Sequence, residues 1–148
     1  MQPQFTINLI AVMAAVVVSF IFGWLWHGPL LGKKWASLMN RSMDHKPTTG
    51  FMMRSMGLTL LGTFLLAYVL AHAVVIWRPS VWGWGVGSDA ASYTYGFLAG
   101  FFVWLGYFVP QQLAAVAWEG RSWQLFSINA GYHFVNLQII AMMLAYWR

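Results

Sequence analysis

Four apolar runs separated by short polar breaks dominate the chain, at about 7–26, 53–77, 96–118 and 126–147. Each is close to the ~20 residues that a helix needs to cross the hydrocarbon of a bilayer. Between the first two runs the pattern changes. Over 30–43, Leu31, Trp35, Leu38, Met39 and Ser42 share one helical face, while Lys33, Lys34, Ser37 and Arg41 share the other. That division predicts a short amphipathic helix lying on the membrane surface. Gly28-Pro29 reads as a break before it, Asp44 to Gly50 and Arg78 to Tyr95 as loops, and Glu119 to Trp123 as a tight turn. The pattern therefore predicts an all-α integral membrane four-helix bundle, one transmembrane domain over 1–148, with a surface helix between spans one and two.

Small and polar residues interrupt the apolar runs at regular intervals. Ala11, Ala15, Ser19 and Gly23 recur every fourth position in span one, and Gly96 and Gly100 do so in span three. Such seams let helix backbones approach closely, where dispersion replaces the missing hydrophobic drive between helices in lipid. Asn8 at the start of span one reads as an interfacial or capping residue. Pro110 removes a helical donor and predicts a kink that frees the Gly106 carbonyl, with Gln111 and Gln112 beside it. In span four, Asn129, His133 and Asn136 are spaced i, i+4 and i+7, which places them on one stripe. Polar groups are costly in hydrocarbon, so this stripe is expected to face protein, a cavity or a ligand. Gln138 points away from it and is expected to face a partner chain.

Composition supports the bilayer as solvent: 60% of residues are hydrophobic, 18% aromatic and 7% charged, against about 25% charged in ordinary globular chains. The net charge of +5 does not imply nucleic acid, because Lys33, Lys34, Arg41, Lys46 and Arg54 cluster beside the spans. Those residues are expected to meet acidic lipid head groups. With Arg121 they put six basic residues on one side, against Arg78 and Arg148 on the other. The positive-inside rule then puts both termini outside and both basic connections in the cytoplasm. Of ten tryptophans, only Trp104 falls mid-span, and interfacial tryptophan is the usual membrane pattern. The N-terminus lacks a basic segment and a cleavage site, so no removable signal peptide is expected. The absence of cysteine excludes disulfides, thiolate metal sites and cysteine nucleophiles.

Two blocks carry a family resemblance. The first runs from Ile7-Asn8 through Gly23-Trp24-Leu25-Trp26-His27-Gly28-Pro29 to Lys33-Lys34-Trp35. The second runs from Trp104-Leu105-Gly106-Tyr107 through Trp118-Glu119-Gly120-Arg121-Ser122-Trp123 to Ala130-Gly131-Tyr132-His133. Together they resemble the bacterial family catalogued as a domain of unknown function, number 1761. The resemblance implies a small four-span bacterial membrane protein and brings no activity with it. The position of His27 is more often aromatic in that family, which implies no role for its imidazole. Ala71-His72 followed by Trp77-Arg78-Pro79 is similar to the end of light-harvesting β polypeptides, although the gap from His72 to Trp77 is one residue short. That likeness implies His72 as a ligand to bacteriochlorophyll magnesium.

Within the spans, the groups able to bind a ligand or partner are His72, Gln111, Gln112, Asn129, His133 and Asn136. His27 and His45 read as solvated residues at the interface. No nucleophile, base and orienting group share a spacing, and no metal-ligand set is present, so no catalytic role is assigned. The first functional reading is a non-catalytic accessory subunit that packs among other integral membrane subunits and holds lipid, quinone or pigment. The second is a homo-oligomeric transporter or channel in which His72 and His133 relay protons or a small cation, since imidazole titrates near pH 6.5. In the plainest account the amides only fix helix packing, at about 0.6 kcal/mol per interhelical pair.

Overall fold

The computed structural model describes residues 6–40, 47–85, 87 and 89–147. Four helical columns long and apolar enough to cross a membrane account for most of them. The first is α1 (Leu9–Leu25) prolonged by a π-helical turn, Trp26–Leu30. A short helix, α2 (Gly32–Leu38), follows it. The second column is α3 (Thr49–Ile76). The third is α4 (Ser92–Val103), a π turn at Trp104–Phe108, and α5 (Val109–Glu119). The fourth is α6 (Trp123–Tyr146). There is no strand among the described residues, and the all-α membrane architecture stands.

Both π turns coincide with prolines. Proline lacks the N–H that an α-helix needs and its ring crowds the carbonyl four residues back. Widening the turn to i→i+5 accommodates both problems without ending the helix. At Pro29 the Leu31 N–H donates to the Trp26 carbonyl at 2.9 Å, closing such a wide turn. Gly28-Pro29 therefore does not break span one, which continues to Leu30 instead of stopping at Trp26. At Pro110, the second residue of α5, the wide turn lies immediately upstream. The irregularity expected there takes this form.

Side-chain caps set the other boundaries. Asn8 Oδ1 accepts from the Ile10 and Ala11 N–H groups, both at 3.1 Å, so it caps α1. Thr48 Oγ1 accepts from Phe51 N–H at 3.3 Å and starts α3 at Thr49, ahead of the expected Met53. Ser122 Oγ accepts from Leu125 N–H at 3.2 Å and starts α6 at Trp123. Gly120, at φ 65°, takes the left-handed conformation that ends α5. The surface helix is shorter than the 30–43 expected, while Arg41, His45 and Lys46 lie outside the described residues. Lys33, Lys34 and Ser37 are exposed and Ala36 is buried. The divided faces of the sequence thus reappear in α2.

Helix α6 is central and packs against α1, α3 and α4. The buried core gathers Val12, Ala15 and Val16 from α1, Leu70 and Val74 from α3, Ala99 from α4, and Leu137 and Ile140 from α6. All lie toward the end where α1 begins, α6 ends and α3 connects to α4; this is the terminal end, and the opposite one is the α2 end. At the terminal end Arg78 is buried and donates to the Ala145 carbonyl at 3.0 Å, which joins the end of α3 to α6. The first residue of the loop is thus held against the bundle. The loop that follows is tied by Asp89, whose carboxylate accepts from Ser80 N–H at 2.9 Å and from Ser80 Oγ at 2.6 Å.

The α2 end is built differently. The buried residues of α3 are Ala67, Leu70, Ala71 and Val74 only. From Thr49 to Gly62 every residue except Ser55 is exposed. The first half of α3 thus stands clear of its neighbours and leaves a cleft against α1 and α6.

Candidate functional site

That cleft encloses a cavity of about 760 Å³, within the few hundred to a thousand Å³ typical of small-molecule sites. Helix α1 and its π turn contribute Ser19, Gly23 and His27 to the wall, and α6 contributes Asn129, Tyr132 and His133. Across from them, α3 presents Met52, Met56, Thr59 and Thr63. Trp35, Met39 and Arg121 close the α2 end.

Tyr132 organises the wall. A Cβ on Gly23 would lie 2.9 Å from its hydroxyl oxygen, so glycine in α1 makes room for the phenol. The ring stacks on Phe22, with centroids 5.7 Å apart and planes 5° apart. His27 meets the same ring edge-on at 4.6 Å, and His133 approaches it at 5.0 Å. Further contacts fix the two imidazoles. His27 has Trp35 at 5.3 Å and its Nδ1 lies 3.3 Å from the Gly23 carbonyl. His133 lies 4.3 Å from Phe108, in the π turn of the third column. Imidazole, phenol and imidazole thus form a continuous aromatic line across α1 and α6.

The polar atoms of the wall differ in what they have left to offer. Thr59 and Thr63 donate back to the carbonyls of Ser55 and Thr59, each at 2.8 Å. Asn129 Nδ2 donates to Gln112 Oε1 at 3.3 Å. Nδ1 of His27 is engaged as described, which leaves Nε2 as the acceptor of a neutral ring. No hydrogen bond among the described residues engages the Tyr132 hydroxyl or the ring nitrogens of His133. None of the wall residues is acidic. The one charged wall residue, Arg121, sits at the α2 end with its guanidinium 2.7 Å from the Glu119 carboxylate.

The residues singled out from sequence divide into several groups. Asn129, His133 and Gln112 come together at or behind this wall. Asn136 continues the stripe into the packed core, where its carbonyl oxygen is buried with no hydrogen-bond partner. Gln111 is exposed and belongs to no part of the cavity. His72 lies elsewhere on α3, with Nδ1 2.9 Å from the Tyr68 carbonyl and its ring against Tyr68 at 4.8 Å. It does not share the cavity with His133. Among the small residues, Ala11, Ala15 and Ser19 are buried. Gly23 meets the side chain of Tyr132, not the backbone of another helix. A Cβ on Gly96 would lie 3.0 Å from Ala145 Cβ and 3.1 Å from the Ala141 carbonyl, so α4 and α6 are in backbone contact there. Gly100 accommodates the amide of Gln138 at 3.0 Å. That amide is buried against α4 and does not face outward toward a partner chain.

Sequence reasoning missed His27 and Tyr132. Reading Gly28-Pro29 as a helix stop placed His27 at the interface. Had the proline been allowed inside a widened turn, the helix would have carried His27 into the span, one turn from Gly23.

The fold and cavity define a four-span membrane protein whose buried core lies toward one end and whose aromatic-lined cavity lies toward the other. The chain belongs to the family described as protein of unknown function (DUF1761), whose model matches residues 10–145. No curated protein and no solved structure matches it.

Proposed function

We propose that the chain is a non-catalytic subunit of a larger bacterial inner-membrane assembly, and that it holds an amphiphilic molecule in the cavity at the α2 end. In this reading α2 and the α5–α6 turn face the cytoplasm and both termini lie outside. The cavity carries the proposal: it is of ligand size, mostly apolar, and bears a few converging polar groups, as binding sites for small molecules do. The basic residues of the α2 end support the orientation. The exposed apolar first half of α3 supplies surface for lipid or for neighbouring helices.

Purification in mild detergent at native abundance tests both parts, with identification of co-purifying chains and extracted small molecules. Unrelated membrane chains and a retained amphiphile are expected. A pure homo-oligomer would remove the subunit role, and a preparation with no retained amphiphile would remove the holding role.

One observation favours a second reading. His27 and His133 line the same cavity with Tyr132 between them, which suits a relay of protons better than the pairing of His133 with His72. In proteoliposomes such a relay would give a proton flux that depends on the imidazole of His133. Flux equal in the protein and in His133→Ala would dispose of it.

A further inference from the structure

We infer that the cavity at the α2 end is a site for the ring of a prenylated quinone or quinol. This rests on the ligand-holding reading above and specifies the class of molecule.

Three features of the wall argue for it. First, the polar groups still available lie on the side of the cavity, and each is neutral or able to be so. Those carried on rings are the Tyr132 hydroxyl, the nitrogens of His133 and Nε2 of His27. A phenol or a neutral imidazole can donate or accept, so the set serves a ring that presents carbonyls when oxidised and hydroxyls when reduced. Second, these groups are borne on aromatic rings, with Trp24 and Trp35 also in the wall. Aromatic walls favour a flat ring through offset and edge-to-face contacts. Third, methionines line the side of the cavity away from these groups, with Met52 and Met56 on α3 and Met39 at the α2 end. Met52 and Met56 are exposed, so the cleft opens beside the first half of α3, where a prenyl chain would pass into lipid.

A fatty-acid carboxylate fits less well. It would need a cation, and Arg121 is both at the end of the cavity and held by Glu119. A wholly apolar occupant would leave the phenol and imidazole nitrogens without hydrogen bonds, which is unfavourable for buried polar groups.

The test uses the full chain in lipid nanodiscs and a 1,4-benzoquinone carrying one prenyl unit, with tryptophan emission as the readout. Decanoate and decanol serve as comparison probes, scored by thermal shift. Saturable quenching by the quinone is expected. Tyr132→Phe and His133→Leu should each weaken it about fivefold, the loss of one hydrogen bond of about 1 kcal/mol. Met56→Trp, which fills the open edge, should abolish saturation, and Gln111→Ala should leave the binding constant unchanged. Melting curves of each variant separate lost binding from lost folding. Quenching that rises linearly without saturation would overturn the quinone site, as would saturable quenching that both Tyr132→Phe and Met56→Trp leave untouched. If decanoate or decanol gives a saturable shift and the quinone does not, the ring class falls and the ligand-holding reading stands. If no probe saturates, both fall.

Discussion

At the terminal end, α1, α3, α4 and α6 meet through small side chains: Ala11 and Ala15, Ala67 and Ala71, Gly96 and Ala99, Ala141 and Ala145 are all buried. At the α2 end α1, α3 and α6 carry Phe20, Trp24, Met52, Met56, Tyr132 and His133, and a cavity lies between them. Overall composition does not separate the two, since both are apolar. In lipid there is no hydrophobic drive to pull helices together, so adhesion depends on how closely backbones approach. Alanine and glycine allow that approach, whereas facing aromatic and methionine side chains hold the helices apart. Small residues are not sufficient, however. Gly57 and Gly62 on α3 have nothing within 4 Å of where a Cβ would lie, because no complementary seam faces them.

The largest expected effect comes from placing the same substitution at both ends. Gly96→Leu should force α4 from α6 and cost about 3 kcal/mol, the upper part of the ordinary range for overpacking. Gly57→Leu meets open space and should change stability by no more than about 0.5 kcal/mol. Thermal unfolding of both variants in one detergent measures the contrast. Equal losses would mean that the two ends are not packed differently.

An intermediate effect is expected where the two ends join. Trp104 Nε1 donates to the Ala130 carbonyl at 2.8 Å and its ring meets Phe134 at 5.1 Å. This is the tryptophan that falls mid-span, and its indole ties the π turn of the third column to α6. Trp104→Phe keeps an aromatic ring and loses the donor, so about 1 kcal/mol should go. The change should appear in the melting temperature. A loss well above that would assign to Trp104 a packing role greater than its hydrogen bond.

Much of the fold is legible in the sequence, for reasons that differ by residue. The spans and the divided faces of α2 follow from composition and period, because the bilayer leaves few ways to solvate such a chain. The stripe of Asn129, His133 and Asn136 follows from helical geometry alone. Gln111 and Gln112 are adjacent in sequence, but successive residues on a helix point about 100° apart. One amide reaches Asn129 and the other is exposed. Tyr132 drew no attention because a tyrosine in a Trp-rich chain carries no signal of its own; its place depends on Gly23 in another helix. The cavity itself was out of reach. It exists because the first half of α3 diverges, and divergence depends on which seams find complements, a property of pairs of helices.

The smallest effect has the opposite sign and tests the packed end from within. Asn136 Oδ1 is buried there without a hydrogen-bond partner, in a residue only 3% exposed. A buried carbonyl left unpaired carries a desolvation cost, and replacing it by an apolar group of similar shape can be neutral or stabilising. Asn136→Leu should therefore leave the melting temperature unchanged or raise it, by an amount corresponding to less than about 1 kcal/mol. The same change at Asn129 removes the donor to Gln112 at the edge of the cavity, so it should lower stability slightly, by about 0.6 kcal/mol. The two substitutions are chemically the same and differ in which end of α6 they touch and in whether the amide there has a partner. Should Asn136→Leu prove clearly destabilising, the packed end would depend on a polar contact, and close approach through small residues would not be the sole reason it is closed.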